Sequence, residues 1–300
     1  MTSRRLLSVL AIVVWAGVAL STASRALPHR HTLDTSYSQE TPAVTCSDLH
    51  VRFDRHDTVM QTEERTITRS EAPTLRIVAE SNGGIQVQGW DQDTYSITLC
   101  KAAEAGNDAD ALLSRIHLTF QSGELGISGP SSHDHWSAHL LVRAPKAAAL
   151  DLHVNNGPMT LYHIDGYLKV RAENGPVTVT GCSGELDLNS HNGPVTLEGN
   201  SGKQTVHTEN GPVTLSLSGY SWEGSGIEAH ATNGPVKLQI PSGYKSGVIL
   251  ESDGHGPFQC TSSVCSEGRK TWDDESKRIE FGYGPTLVRV STVNGPVSVD

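Results

Sequence analysis

Between residues 146 and 240 apolar and polar positions alternate at fixed distances from a recurring Asn-Gly-Pro. The triplet begins at Asn156, Asn174, Asn192, Asn210, Asn233 and Asn294; the first three steps are 18 residues and the next is 23. With the units laid over one another by their Asn, the positions two, four and six before it form the columns of one face, apolar except at Ser190, Thr208 and Gln204. These are Val154, Ala172, Ser190 and Thr208; Leu152, Val170, Leu188 and Val206; and Leu150, Leu168, Leu186 and Gln204. Three and five after the Asn come Met159, Val177, Val195 and Val213, then Leu161, Val179, Leu197 and Leu215. Polar residues such as Arg171, Glu173, Asn189, His191, His207 and Glu209 fall between the columns. A period of two with one apolar side predicts strands with one buried face. Each unit therefore reads as strand, Asn-Gly-Pro corner, strand and second corner.

A fixed period of this length points to stacked supersecondary units. Asn-Gly between alternating segments is normally a hairpin signal. The following Pro argues against that here, because it has no N–H to return across a two-residue turn. The expected fold is all-β: a single-chain β-solenoid, right-handed as parallel β-crossovers are, with coils of about 18 residues. In that fold Asn156, Asn174, Asn192, Asn210, Asn233 and Asn294 are corner residues whose amides form a ladder from coil to coil. The expected solenoid spans 62–300, with regular coils over 146–240. Asn82-Gly83-Gly84 is a weaker corner upstream, and Asp253-Gly254-His255-Gly256-Pro257 a degenerate one downstream. A polar insertion is expected at about 258–277, and one short helix is predicted after Asn107-Asp108.

The N-terminus changes the picture of compartment. Arg4 and Arg5 precede an apolar run from Leu6 to Leu20, and small residues follow up to Ala26. Residues 1–26 are expected to be a signal peptide and 27–61 a mobile leader. The run is short for a membrane span, with retention as an anchor the alternative. Cleavage after Ala26 removes three positive charges from the formal −10 and leaves −13. Such an acidic chain is a poor partner for nucleic acid, and no span is expected after cleavage. In an exported chain Cys260 and Cys265 are the first disulfide candidates, closing a short loop, and Cys46 with Cys100 the second. Cys182 sits in a small-residue column with Ile164 and Asn200 and is expected to be a buried thiol.

Two segments carry a resemblance. Glu64-Arg65-Thr66 leads to Leu75-Arg76-Ile77 and then to Asn82 through Asp91; Leu141 through Lys146 leads to Leu150-Asp151-Leu152 and the Asn-Gly units. Both are similar to the bacterial putative-adhesin family, a domain of unknown function, over about residues 62–300. The resemblance implies an exported β-solenoid and supplies no catalytic residue. Pro follows almost every Asn-Gly here, where the family more often has an acidic or polar residue.

Candidate chemistry is sparse. Arg171, Glu173, Asn189, His191, His207 and Glu209 form an outward stripe able to hold a polymer or a protein. Their ordinary role is the solvated face that any such sheet needs. Thr160, Thr178, Thr196 and Thr214 form a Thr column of the kind an ice-binding face uses, but its neighbours Tyr162, Thr180, Glu198 and Ser216 do not keep the array. His133, His135 and His139 would share one strand face and are the metal candidates, against the plainer reading of a polar loop entering a strand. Asp273-Asp274-Glu275 is the one close acidic group a sugar-cleaving β-helix enzyme would have to use. No nucleophile elbow, phosphate loop or dinucleotide fingerprint is present. The expected function is an exported, non-catalytic adhesin or envelope-binding module. It would take an unknown surface ligand, protein or polysaccharide, in the periplasm, at the cell surface or outside the cell, with no cofactor. A carbohydrate-active β-helix enzyme and an envelope-sensing regulatory partner are the alternatives.

Overall fold

The alternating segments form strands throughout, and the Asn-Gly-Pro corners carry the chain from one sheet to another. This is a computed structural model, and it describes residues 33–36, 42–53, 57–106, 108–131, 136–253, 256–273 and 276–300. Residues 1–26, where a signal peptide is expected, lie outside the described residues.

The strand before each corner joins a 12-stranded sheet and the strand after it an 11-stranded sheet. The former include Ala149–Asn156, Tyr167–Asn174, Glu185–Asn192, Ser201–Asn210, Glu223–Asn233 and Thr286–Asn294. The latter include Met159–Tyr162, Val177–Thr180, Val195–Gly199, Val213–Leu217, Val236–Gln239 and Val297–Val299. Successive units pair in parallel and in register, so that Leu150, Leu168, Leu186, Gln204, Ile227 and Val288 form one row. Leu161, Val179, Leu197, Leu215, Leu238 and Val299 form a row on the other sheet. Apart from the buried polar Gln204, both rows belong to one apolar core. Burying each Val- or Leu-sized side chain in it contributes about 1.5–3 kcal/mol. The long strands outside the units, Thr74–Asn82 and Ile85–Trp90, continue the two sheets in parallel at the N-terminal side.

The ends are built differently. Thr58–Thr68, Thr94–Glu104 and Trp136–Pro145 pair antiparallel, as do His117–Gln121 and Glu124–Ser128 across a two-residue turn at Ser122-Gly123. At the other end Gly247–Ser252, Lys277–Phe281 and Arg269–Trp272 are antiparallel neighbours. The expected single-chain β-solenoid, right-handed with coils of about 18 residues over 62–300, is corrected by these pairings. The chain forms two large mixed sheets faced across one core, a β-sandwich-like fold with no solenoid closure. The physical reason is that parallel pairing runs through the Asn-Gly corner units and the strands laid directly beside them, and does not extend to the segments beyond these. Those pair back on themselves, Thr58–Thr68 with Thr94–Glu104, His117–Gln121 with Glu124–Ser128 and Arg269–Trp272 with Lys277–Phe281.

Within the expected leader, residues 42–53 form a strap over the outer side of the 11-stranded sheet. The Ala43 N–H donates to Gln86 Oε1 at 2.9 Å, and Gln86 Nε2 donates to the Ala43 carbonyl at 2.7 Å. Cys46 and Cys100 are disulfide-bonded, and Cys46, Leu49, Val51 and Phe53 pack with Ala102 and Leu141 in a second small core. A disulfide also joins Cys260 and Cys265, where the expected insertion holds a strand Phe258–Cys260 and a helical turn Val264–Glu267. Cys182 is a free, buried thiol whose sulfur accepts from the Ile164 N–H at 3.5 Å. Among the described residues no helix is long and apolar enough to cross a membrane.

Candidate functional site

The outward side of the 12-stranded sheet is where the polar positions of the units collect. Strand pairing places His153, Arg171, Asn189, His207, His230 and Ser291 in one row across six neighbouring strands. Parallel strands lie about 4.8 Å apart, so the row offers one side chain at each such step. A second row runs through Asp151, Lys169, Asp187, Thr205, Glu228 and Arg289. Both signs of charge are interleaved. Arg171 pairs with Asp151 at 3.4 Å, Lys203 with Glu185 at 2.7 Å, and Asn189 Nδ2 donates to Asp187 at 3.0 Å. His191 Nδ1 lies 2.6 Å from Glu209 Oε2. The rings of His207 and His230 stack at 5.4 Å between centroids and 7° between planes. His230 Nδ1 is 2.8 Å from Ser291 Oγ, and burial together with the His207 ring holds His230 below the usual imidazole value. Thus Arg171, Asn189 and His207 are row neighbours. Glu173, His191 and Glu209 stand two residues further along the same strands and reach the same side by alternation.

The corner Asn residues form a continuous ladder at one rim of this sheet. Asn174 Nδ2 donates to Asn156 Oδ1, Asn192 to Asn174, Asn210 to Asn192, Asn233 to Asn210 and Asn294 to Asn233, all between 3.0 and 3.2 Å. Each of the four inner amides gives one N–H backward and receives one from the next unit. The glycine that follows lets the corners approach: at Gly193, φ is +138° and a Cβ would sit 2.2 Å from the Gly175 carbonyl oxygen. The Pro carbonyl is used too, accepting the N–H of Met159, Val177 or Val195 from the unit before.

The metal candidates separate. His133 and His135 lie outside the described residues. His139 is buried in the strand Trp136–Pro145, 2% exposed. Its Nδ1 accepts the Gly84 N–H at 3.1 Å, which leaves the ring proton on Nε2, 2.9 Å from Ser137 Oγ. Burial lowers its pKa to about 4, so it is neutral at ordinary pH. Among the described residues no group of three or more His, Cys, Asp or Glu is placed to hold a metal ion. Asp273 closes a turn, accepting the Ser276 N–H at 2.7 Å, while Asp274 and Glu275 lie outside the described residues.

Pattern reading missed two features. The outward Thr160 and Thr178 are buried, at 2% and 6% exposure, as is Tyr162 at 3%, so this side of the 11-stranded sheet is covered at Met159–Tyr162 and at Thr178, while Thr196 and Thr214 stay half-buried and Glu198 exposed. The second is Lys101, 6% exposed, which donates to the Ile116 carbonyl at 3.1 Å and lies 3.6 Å from Glu63. Its place at an inward-turned end of an apolar strand carried no sequence signal.

No protein-family model matches the chain, and no curated protein matches it by sequence. Solved structures resemble it at a distance. A putative cell adhesion protein from Clostridium sporogenes is 12% identical with a TM-score of 0.36, over 80% of this chain and 99% of that one. A putative adhesin from Parabacteroides distasonis is 12% identical with a TM-score of 0.37, over 80% and 97%. A putative lipid binding protein from the same species is 10% identical with a TM-score of 0.33, over 82% and 98%. What this chain shares with them is a distant likeness along most of its length, too weak to carry a property from one to the other.

Proposed function

We propose that the chain is an exported, non-catalytic binding module that holds an extended surface ligand against the outward side of its 12-stranded sheet. The observation that carries this reading is the row of His153, Arg171, Asn189, His207 and His230, one polar side chain per strand in register on one face of the sheet. A polymer or a flat protein surface meets donors and acceptors there at the strand spacing. The residues on which an enzyme would draw are otherwise engaged: His139 in a buried hydrogen-bond pair, Asp273 in a turn. Two disulfides support an oxidising compartment. Periplasm, cell surface and external medium all fit that chemistry.

The test uses the purified mature chain and immobilised cell-envelope polysaccharide. The triple variant Arg171→Ala, His191→Ala, His207→Ala should bind at least about tenfold more weakly, a loss of about 1.4 kcal/mol. Its melting midpoint should change little, because these side chains lie outside the core. Unchanged binding would sink the assignment of the face. Mass spectrometry of the secreted chain reads the processed N-terminus and the two disulfides together.

A further inference from the structure

Away from that face, the C-terminal end carries a cleft of about 580 Å³ that the repeating units do not explain. It opens beside the antiparallel strands Gly247–Ser252 and Lys277–Phe281 and the turn Val264–Glu267. Lys245, Glu267, Arg269, Glu280 and Tyr283 line it. Tyr283 is 89% exposed, yet its hydroxyl donates to Glu267 Oε2 at 3.0 Å. The ring is therefore open to solvent on its faces while its far end is tied down. Beside it, Tyr220 is 73% exposed. The two loops are joined through Lys245, whose N–H donates to the Tyr220 carbonyl at 2.8 Å. The Lys245 carbonyl in turn accepts the N–H groups of Tyr283 at 3.2 Å and Gly284 at 2.9 Å. Gly282 lets the Tyr283 loop come this close: φ is +92°, and a Cβ would sit 2.2 Å from the Ser246 carbonyl oxygen.

The charges in the cleft cancel. Lys245 and Arg269 stand against Glu267 and Glu280, with Arg269 paired to Glu280. Arg269, with Arg278 behind it, holds Glu280 below the usual carboxylate range, so it acts as an acceptor only. A cleft of balanced charge gives no net attraction to an anion or a cation. It offers directional donors and acceptors beside a flat, pre-set aromatic ring. A pyranose has the complementary chemistry: an apolar C–H face that stacks on an aromatic ring, and a rim of hydroxyls that hydrogen-bond with planar guanidinium and carboxylate groups. The volume falls in the range of about 300–1,000 Å³ usual for small-ligand sites. Fixing the ring in advance reduces the ordering cost of binding.

We infer that this cleft is a binding site for neutral saccharides, with Tyr283 as the stacking platform and the Arg269–Glu280 pair as the hydroxyl reader. The inference rests on the reading of the chain as a binding module only in taking capture, not turnover, as the outcome.

Calorimetric titration of the mature full-length chain tests it with four probes: cellotriose, maltotriose, chitotriose and, as the charged comparison, a galacturonate trisaccharide. At least one neutral trisaccharide should bind, and more tightly than the galacturonate. Tyr283→Ala should weaken that binding at least about tenfold. Tyr283→Phe keeps the ring and loses the Glu267 tether, so it should weaken it by a smaller factor. Both substitutions are at an exposed position and should leave the melting midpoint near that of the parent. Absence of binding by every neutral probe, preference for the galacturonate, or indifference to Tyr283→Ala each overturns the site. Release of reducing ends from a bound probe would instead overturn the non-catalytic reading and leave the cleft standing. The Arg171, His191, His207 triple variant should bind the trisaccharide as the parent does, which separates failure of the sheet face from failure of the cleft.

Discussion

His139 is the residue whose burial has the clearest energetic signature. The ring is neutral in the folded chain with a pKa of about 4, against 6.5 for an unperturbed imidazole. Between those values the unfolded chain binds more protons than the folded one. Stability is therefore complete above pH 6.5 and declines as the pH falls towards 4. At pH 5 the loss from this one ring amounts to roughly 2 kcal/mol. His139→Asn places a neutral oxygen acceptor for the Gly84 N–H where Nδ1 sits. Urea midpoints at pH 7 and pH 5 should show the parent losing about 2 kcal/mol more than the variant across that interval. Equal losses would mean that the ring is protonated in the folded state. At this scale the sequence was informative about columns and uninformative about partners. The apolar columns through Leu150 and Leu161 follow from the period of two, and the buried thiol of Cys182 from its alignment with Ile164 and Asn200 at the second corner of each unit. His139 looked like a metal ligand because three His share a strand pattern, and pattern says nothing about a backbone N–H arriving from Gly84.

Among the elements, the strap of residues 42–53 was the least legible in the sequence. Its Ser, Thr and His content reads as a leader, while its anchoring comes from Cys46, Leu49, Val51 and Phe53 meeting residues more than 40 positions away. Such contacts leave no local periodicity to detect. The disulfide spans 54 residues, and closing a loop of that length in the unfolded chain is worth about 4 kcal/mol in the chain-entropy view. The double variant Cys46→Ser, Cys100→Ser should accordingly melt well below the parent. Hydrogen exchange should localise the loss of protection to the strap and to Thr94–Glu104 before the central strands. Uniform loss across the sheets would show that the strap and the core open as one unit. The antiparallel ends were missed for a related reason. Alternation identifies a strand and its buried side but not the direction of its neighbour, and the Asn-Gly-Pro units made a parallel neighbour look general.

For the whole molecule, the central units add one strand to each sheet at a constant register. This makes their number adjustable. Excision of residues 175–192 joins Asn174 to Gly193 and restores an intact corner, and Tyr167–Asn174 then faces Ser201–Asn210 with Leu168 opposite Gln204 and Arg171 opposite His207. That variant should fold cooperatively, with a β-sheet spectrum and a modestly lower melting point. Excision of one residue fewer reverses the alternation of every side chain in the displaced strand and should not yield a folded chain. Folding of both would show that register is not set by the columns. The sandwich-like pairing of two mixed sheets was the part of the architecture that the unit alone did not specify, because the strands that decide it lie outside the units.

The corner geometry also bears on how long the protein lasts. An Asn followed by Gly is the sequence most open to spontaneous deamidation, in which the glycine nitrogen attacks the Asn side-chain carbonyl and ammonia leaves. Here the N–H groups of Gly157, Gly175, Gly193 and Gly211 are each held by the main-chain carbonyl of the next Asn, and the side-chain amides are held by one another. The nitrogen is turned to its neighbour, and the five-membered ring that the reaction needs cannot close without breaking the rim. Age damage at these sites is thereby coupled to unfolding: the rim has to open before an amide can be lost, and each loss at Asn174, Asn192 or Asn210 replaces the N–H given to the preceding Asn with a carboxylate oxygen.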